Sequence, residues 1–193
     1  MTIKILKASE YLKMPWKNGQ GHTLQIACSH SSMEHFDWRI SIADVNQDST
    51  FSLFKNKSRF ISILEGNGIV LNNQNTQKDI NLKANEIYDF CGDSLIDSKL
   101  IDGPIRDFNL IYDPIKYHAA MDYCEQHQNK INLENFKFIF LFNPNKSDLN
   151  IKINHADYIL REYETLKIEN NFTAKLDLNV VNSFTSYYVI TLQ

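Results

Sequence analysis

Polar and apolar residues alternate with a period of two along most of the 193-residue chain, as in Trp38, Arg39, Ile40, Ser41 and Ile42, and turn-forming residues interrupt the pattern at short intervals. A strand sends successive side chains to opposite faces, whereas a helix needs apolar residues three and four apart. The pattern therefore predicts an all-β fold. Candidate strands run in one series from Ile3–Leu6 to Phe108–Tyr112 and in a second from Lys137–Phe142 to Tyr187–Leu192. RFISILEGNGIVL, Arg59–Leu71, reads as a buried strand, a tight glycine turn and a returning strand, that is, a hairpin. KYHAAMDYC, Lys116–Cys124, fits either a strand or one face of a short helix, and is assigned to a strand. The polar run Gln126–Asn135 reads as a connection between two lobes.

Several function classes lose support at once. A net charge of −3 with scattered lysines gives no basic footprint, which argues against a nucleic-acid partner. No apolar run approaches the length of a membrane span, and the first residues lack the apolar centre of a signal peptide, so a cytoplasmic location is expected with no membrane partner. The six histidines show no HxH or HxxxH pair, and Cys28, Cys91 and Cys124 show no ligand spacing. No metal and no other cofactor is expected. There is no GxSxG, and GQG and GNG are lone turns without a following helix, so neither a nucleophilic triad nor a phosphate cradle is indicated. No catalytic residue is assigned.

What remains is a set of polar residues in unusual settings. The loop MPWKNGQG, Met14–Gly21, brings together a stacking face in Trp16, a point charge in Lys17 and an amide in Asn18, held between a proline and glycines. Taken alone it is better read as a turn with Trp16 tucked into the core. Later segments add Arg39 and Ser41 on one face of WRIS, Ser52 and Phe54 in TFSLF, Arg59 ahead of an apolar run, DFCGD at Asp89–Asp93, and Asp107 and Asn109 in DFN. An arginine on a strand packed on both sides needs a partner. Arg39 could point to water or pair with Asp44, Asp93 or Asp107. Alternatively, Lys17, Arg39 and Arg59 form a cationic site for an anion, with Trp16 and Phe54 enclosing it and Asn18, Ser52, Asp107 and Asn109 supplying oriented polar contacts.

In order and spacing, PWKNGQGHT, FDWRISIADV, TFSLFKNKSRFISILEGNGIVL, FCGD and GPIRDFNLIY resemble the HutD/Ves family of cupin-like proteins over roughly the first 115 residues. The resemblance implies a metal-free, cupin-like double β-barrel (a bicupin of the jelly-roll class): a single unit over 1–193, with a motif-rich lobe mainly in 1–115, a second lobe mainly in 116–193, and strand exchange between them. It also implies that Lys116–Cys124 is a strand. The implied function is binding of a small anionic metabolite in a sensing, buffering or regulatory role, with a histidine-degradation intermediate such as N-formylglutamate as a candidate, by a monomer or homodimer. No reaction is established for the family. The chain departs from the family pattern at Gln20, where a glycine is usual, at Leu24 and Gln25, where an arginine and a glutamate are usual, and at Ser49 and Thr50. The alternatives are a metal-independent cupin isomerase or hydrolase acting on a sugar or amino-acid derivative, with Asp93, Asp107 or His22 as general base, and a protein-binding module.

Overall fold

In the computed structural model, residues 1–16, 21–30, 35–125, 130–133, 135–170, 176–181 and 185–193 are described, and they build two all-β units of antiparallel sheets. The expected strand at Lys116–Cys124 is present as Ala119–Cys124. No helix among the described residues is long and apolar enough to cross a membrane.

The first unit comprises Tyr11–Lys116. Its six-stranded sheet runs, edge to edge, Leu12–Pro15, Gly21–Cys28, Trp38–Val45, Ile105–Tyr112, Ser58–Glu65 and Ile87–Cys91; its four-stranded sheet runs Ser49–Thr50, Ile96–Leu100, Ile69–Asn73 and Lys78–Leu82. The inner faces meet in an apolar cluster to which Val45, Ile61, Ile63 and Ile105 contribute from the first sheet and Ile69, Leu71, Leu82 and Ile96 from the second. Trp38, Ile40, Ile42, Phe108 and Leu110, on the opposite face of the six-stranded sheet, are also buried. Burial on both faces explains why the central strands read as near-continuous apolar runs.

The expected hairpin at Arg59–Leu71 is not one. Ser58–Glu65 pairs with Ile105–Tyr112 and Ile87–Cys91, whereas Ile69–Asn73 pairs with Ile96–Leu100 and Lys78–Leu82 in the other sheet. The glycine turn is thus a corner that carries the chain between sheets. Gly66 and Gly68 sit at φ of 98° and 107°, and a Cβ on either would lie 2.6 Å from the Pro104 carbonyl oxygen or 2.5 Å from that of Leu82. Only glycine combines that φ with so close an approach.

The second unit comprises Met1–Glu10 and Tyr117–Gln193. One sheet runs Thr2–Leu6, Thr165–Glu169, Phe138–Phe142, Tyr187–Leu192 and Ala119–Cys124, and the other runs Lys130–Leu133, Leu176–Val180, Leu149–Ile153 and Ala156–Leu160. Lys130–Leu133 lies within the run expected to be a connection; its backbone pairs with Leu176–Val180. Ile139, Leu141, Ile151, Leu166 and Leu178 belong to this unit's core. In the described part of that cluster, Cys124 and the hydroxyl of Tyr187 are hydrogen-bonded to each other.

Candidate functional site

Strand register places the site. Across the six-stranded sheet, Arg39 stands opposite Ile111, which stands opposite Arg59, which stands opposite Phe90. The adjacent row is Gln25, Ser41, Asn109 and Ile61, and the next is Thr23, Ala43, Asp107 and Ile63. Residues directly opposite share a face. Val45, Ile61 and Ile63 belong to the inner cluster, so Arg39, Arg59, Asp107, Asn109 and Gln25 all lie on the inner face. Irregular register between Gln25 and Ala27, and again between Arg106 and Asp107, adjoins two of them, and such bulges commonly re-aim side chains beside functional sites.

Arg59 is 7% exposed. Its Nη2 donates to the Asn109 side-chain oxygen at 3.1 Å and its Nη1 to the Ser52 carbonyl at 3.4 Å. The guanidinium also faces the rings of Phe90, Phe51 and Phe54 at 4.8, 5.1 and 5.4 Å. The Asn109 amide donates in turn to Asp107 Oδ1. Asn109 therefore relays between a buried cation and a buried carboxyl, and both partners fix which way its amide turns.

Asp107, 3% exposed, is pushed up to about 7 by burial, against the opposing pull of Arg59, the Ala43 backbone and Asn109; Asp44 adds to the rise. Burial pushes Arg59 down to about 10, with Asp107 raising and Arg39 further lowering it, so it stays cationic at neutral pH. Arg39 is lowered by burial, partly offset by Cys28. Its guanidinium carbon lies 4.9 Å from the Phe36 ring centre and 5.1 Å from that of Phe54. The two arginines thus share the Phe54 ring. Among the described residues no carboxylate lies within ion-pair distance of Arg39, so it pairs with none of Asp44, Asp93 or Asp107. Three buried atoms on this face, Arg39 Nε, Arg59 Nε and Gln25 Oε1, have no hydrogen-bond partner.

The flanking motifs hold this arrangement in place. The Phe54 backbone N–H donates to the Gly92 carbonyl at 2.8 Å, and that of Gly92 donates to the Lys57 carbonyl at 2.7 Å. A Cβ on Gly92 would come within 2.6 Å of the Phe54 carbonyl oxygen. Asp93 accepts from the Asn56 N–H at 3.0 Å, where Asn56 takes a φ of 58°. Asp93 is therefore a turn clasp behind Phe54, not a base directed at Arg39. His22 pairs with Asp44 at 2.9 Å, and Asp44 with Arg106 at 2.6 Å; its register opposite Asp44 puts it on the other face.

Trp16 packs against the inner cluster and donates from Nε1 to Thr23 Oγ1 at 2.9 Å. Gly21 permits this: a Cβ there would meet the Trp16 ring at 3.0 Å and crowd the Asp44 carbonyl oxygen. Ser52 contributes its backbone carbonyl while its side chain is exposed. Lys17 and Asn18 lie outside the described residues. Gln25, Phe36 and Phe90 were missed as site residues; the only sequence signal for Gln25 was its departure from the family pattern. Among the described residues, no group of three or more His, Cys, Asp or Glu side chains is placed to hold a metal ion.

Comparison with known proteins decides the family. The HutD family model matches residues 8–184. The chain belongs to the HutD family. It is 39% identical over 124 residues to an uncharacterised 21.2 kDa protein in the hutC 3′ region of Pseudomonas putida, covering 64% of this chain and 65% of that one. It is 36% identical over 103 residues to Protein Ves of Citrobacter koseri, covering 51% and 53%. The chain thus matches between about half and two thirds of the length of these curated relatives. The solved structure of HutD from Pseudomonas fluorescens SBW25 superposes with a TM-score of 0.84 at 31% identity, covering 100% of this chain and 98% of that one. The fold alone extends further: the YhhW structure from Escherichia coli matches at a TM-score of 0.66 and 9% identity, within the all-β, cupin-like class expected for HutD proteins.

Proposed function

We propose that this HutD-family chain binds a small anionic metabolite, a carboxylate, on the inner face of the Tyr11–Lys116 unit and acts by binding it, in a sensing, buffering or regulatory role. The observation that carries the reading is Arg39: a largely buried cation with aromatic rings around it and no carboxylate partner among the described residues. Desolvating an ion costs several kcal/mol unless it is paired. Ring faces return only about 0.5–2 kcal/mol each. An incoming carboxylate supplies the missing charge and accepts from the unpartnered Nε atoms of Arg39 and Arg59.

The family and the P. putida relative's place beside hutC support histidine utilisation as the setting and N-formylglutamate as a candidate ligand. Calorimetric titration of the wild type and Arg39→Ala with a panel of carboxylates tests the reading. A carboxylate at about a hundred times its dissociation constant should stabilise the fold by roughly 2.7 kcal/mol. Failure of every carboxylate to bind, or equal binding by Arg39→Ala, overturns it.

One observation favours a catalytic reading: Asp107 is a buried carboxyl pushed up to about 7 and linked through Asn109 to Arg59, a state suited to moving a proton near neutral pH. Turnover of a bound carboxylate by the wild type, lost in Asp107→Asn with binding retained, is the outcome that would establish it.

A further inference from the structure

The anion site leaves one buried group unaccounted for, and that group is an acceptor. Gln25 stands opposite Ser41, which stands opposite Asn109, in the row next to the one that carries Arg39 and Arg59. Its Oε1 is buried without a hydrogen-bond partner, whereas its Nε2 is not among the buried unpartnered atoms. The amide therefore turns its acceptor, and not its donors, to the interior. A carboxylate cannot satisfy it, because an ionised carboxylate offers only acceptors. Gln25 and Arg39 are diagonal neighbours across adjacent strands, a separation that long side chains span. A molecule held by Arg39 is thus within reach of Gln25.

We propose that Gln25 is a specificity-determining acceptor, and that the ligand is a carboxylate bearing an N–H or O–H donor on its body, of the N-acyl amino acid or hydroxy acid class. The inference rests on the anion-binding reading above and adds the chemistry of the ligand's neutral end. A second carboxylate placed at Gln25 would set acceptor against acceptor.

The test uses pairs of ligands matched in shape and differing in one donor. N-acetylglycine and levulinate differ by N–H against CH2, and glycolate and propionate by O–H against CH3. Titration of the wild type at fixed pH should show the donor-bearing member of at least one pair binding about tenfold or more tightly, the discrimination expected where a buried polar group would otherwise stay unpaired. Gln25→Leu should bring the members of that pair to within about threefold, by weakening the donor-bearing one. Equal affinity within both pairs for the wild type overturns this inference and leaves the anion site standing. A preference that survives in Gln25→Leu also overturns it. If no member of either pair binds the wild type, the inference and the anion reading fall together. Should Gln25→Leu fail to fold, Gln25→Met supplies the acceptor-free comparison, and the wild-type ranking decides without any variant.

Discussion

Arg39 and Arg59 sit in one row of the same sheet, yet truncating them should have opposite consequences for stability. Arg59→Ala removes the donor to Asn109 and the cation that offsets Asp107, and strips a charge from among three rings. An acceptor left buried costs about 1–3 kcal/mol, and breaking a buried charge network about 3–5 kcal/mol. For a chain of this size each kcal/mol moves Tm by about 2–4 °C, so a fall of about 10 °C is expected. Arg39→Ala removes a cation with no carboxylate partner among the described residues. The lost ring contacts, ~0.5–2 kcal/mol each, are set against relief of the burial that already lowers its pKa, and Tm should move by no more than about 3 °C. Thermal melts at pH 7 without ligand measure both. Carboxylate affinity should fall in each variant by about 2–5 kcal/mol. If Arg39→Ala melts as far below the wild type as Arg59→Ala does, Arg39 belongs to the structural network and the reasoning is refuted.

Two further outcomes follow from the same geometry. Asp107 is held near 7 in the fold against 3.8 unfolded, so the native state binds the extra proton between those values; the contribution of this group to stability is full below about pH 4 and is lost as pH rises through about 7. Urea unfolding from pH 5 to 8 should show that decline in the wild type and a flatter profile in Asp107→Asn; an unchanged slope would locate the titration elsewhere. Gly92→Ala drives a Cβ to 2.6 Å from the Phe54 carbonyl oxygen, and should cost ~1–3 kcal/mol while weakening carboxylate binding through displacement of the ring both arginines share; unaltered affinity would show that Phe54 placement is immaterial.

The all-β class and the polar face of Trp38–Val45 were legible because alternation is a local property. The partners of Arg59 were not, since the Arg59–Asn109–Asp107 relay depends on strands some fifty residues apart in sequence coming into register. The corner at Gly66–Gly68 was misread for a related reason. A tight hairpin and a crossing between sheets both ask for glycine at positive φ, and only the pairing of the flanking strands separates them. Lys130–Leu133 was hidden inside a polar run too short to show a period. Asp93 and His22 looked like candidate bases because sequence supplies a carboxylate or an imidazole without its direction; one clasps a turn and the other lies on the opposite face. Gln25 could be singled out only as a departure from the family pattern, and its meaning appears only once the row it occupies is known.

The most direct test of anion binding at Arg39 is a crystal structure of the protein with a bound carboxylate. The account predicts carboxylate oxygens within hydrogen-bond distance of Arg39 Nε and Arg59 Nε, among the Phe36, Phe51 and Phe54 rings, with the Asn109 relay to Asp107 intact. A carboxylate bound away from both arginines, or an Arg39 found paired with an acidic side chain of the protein itself, would contradict it.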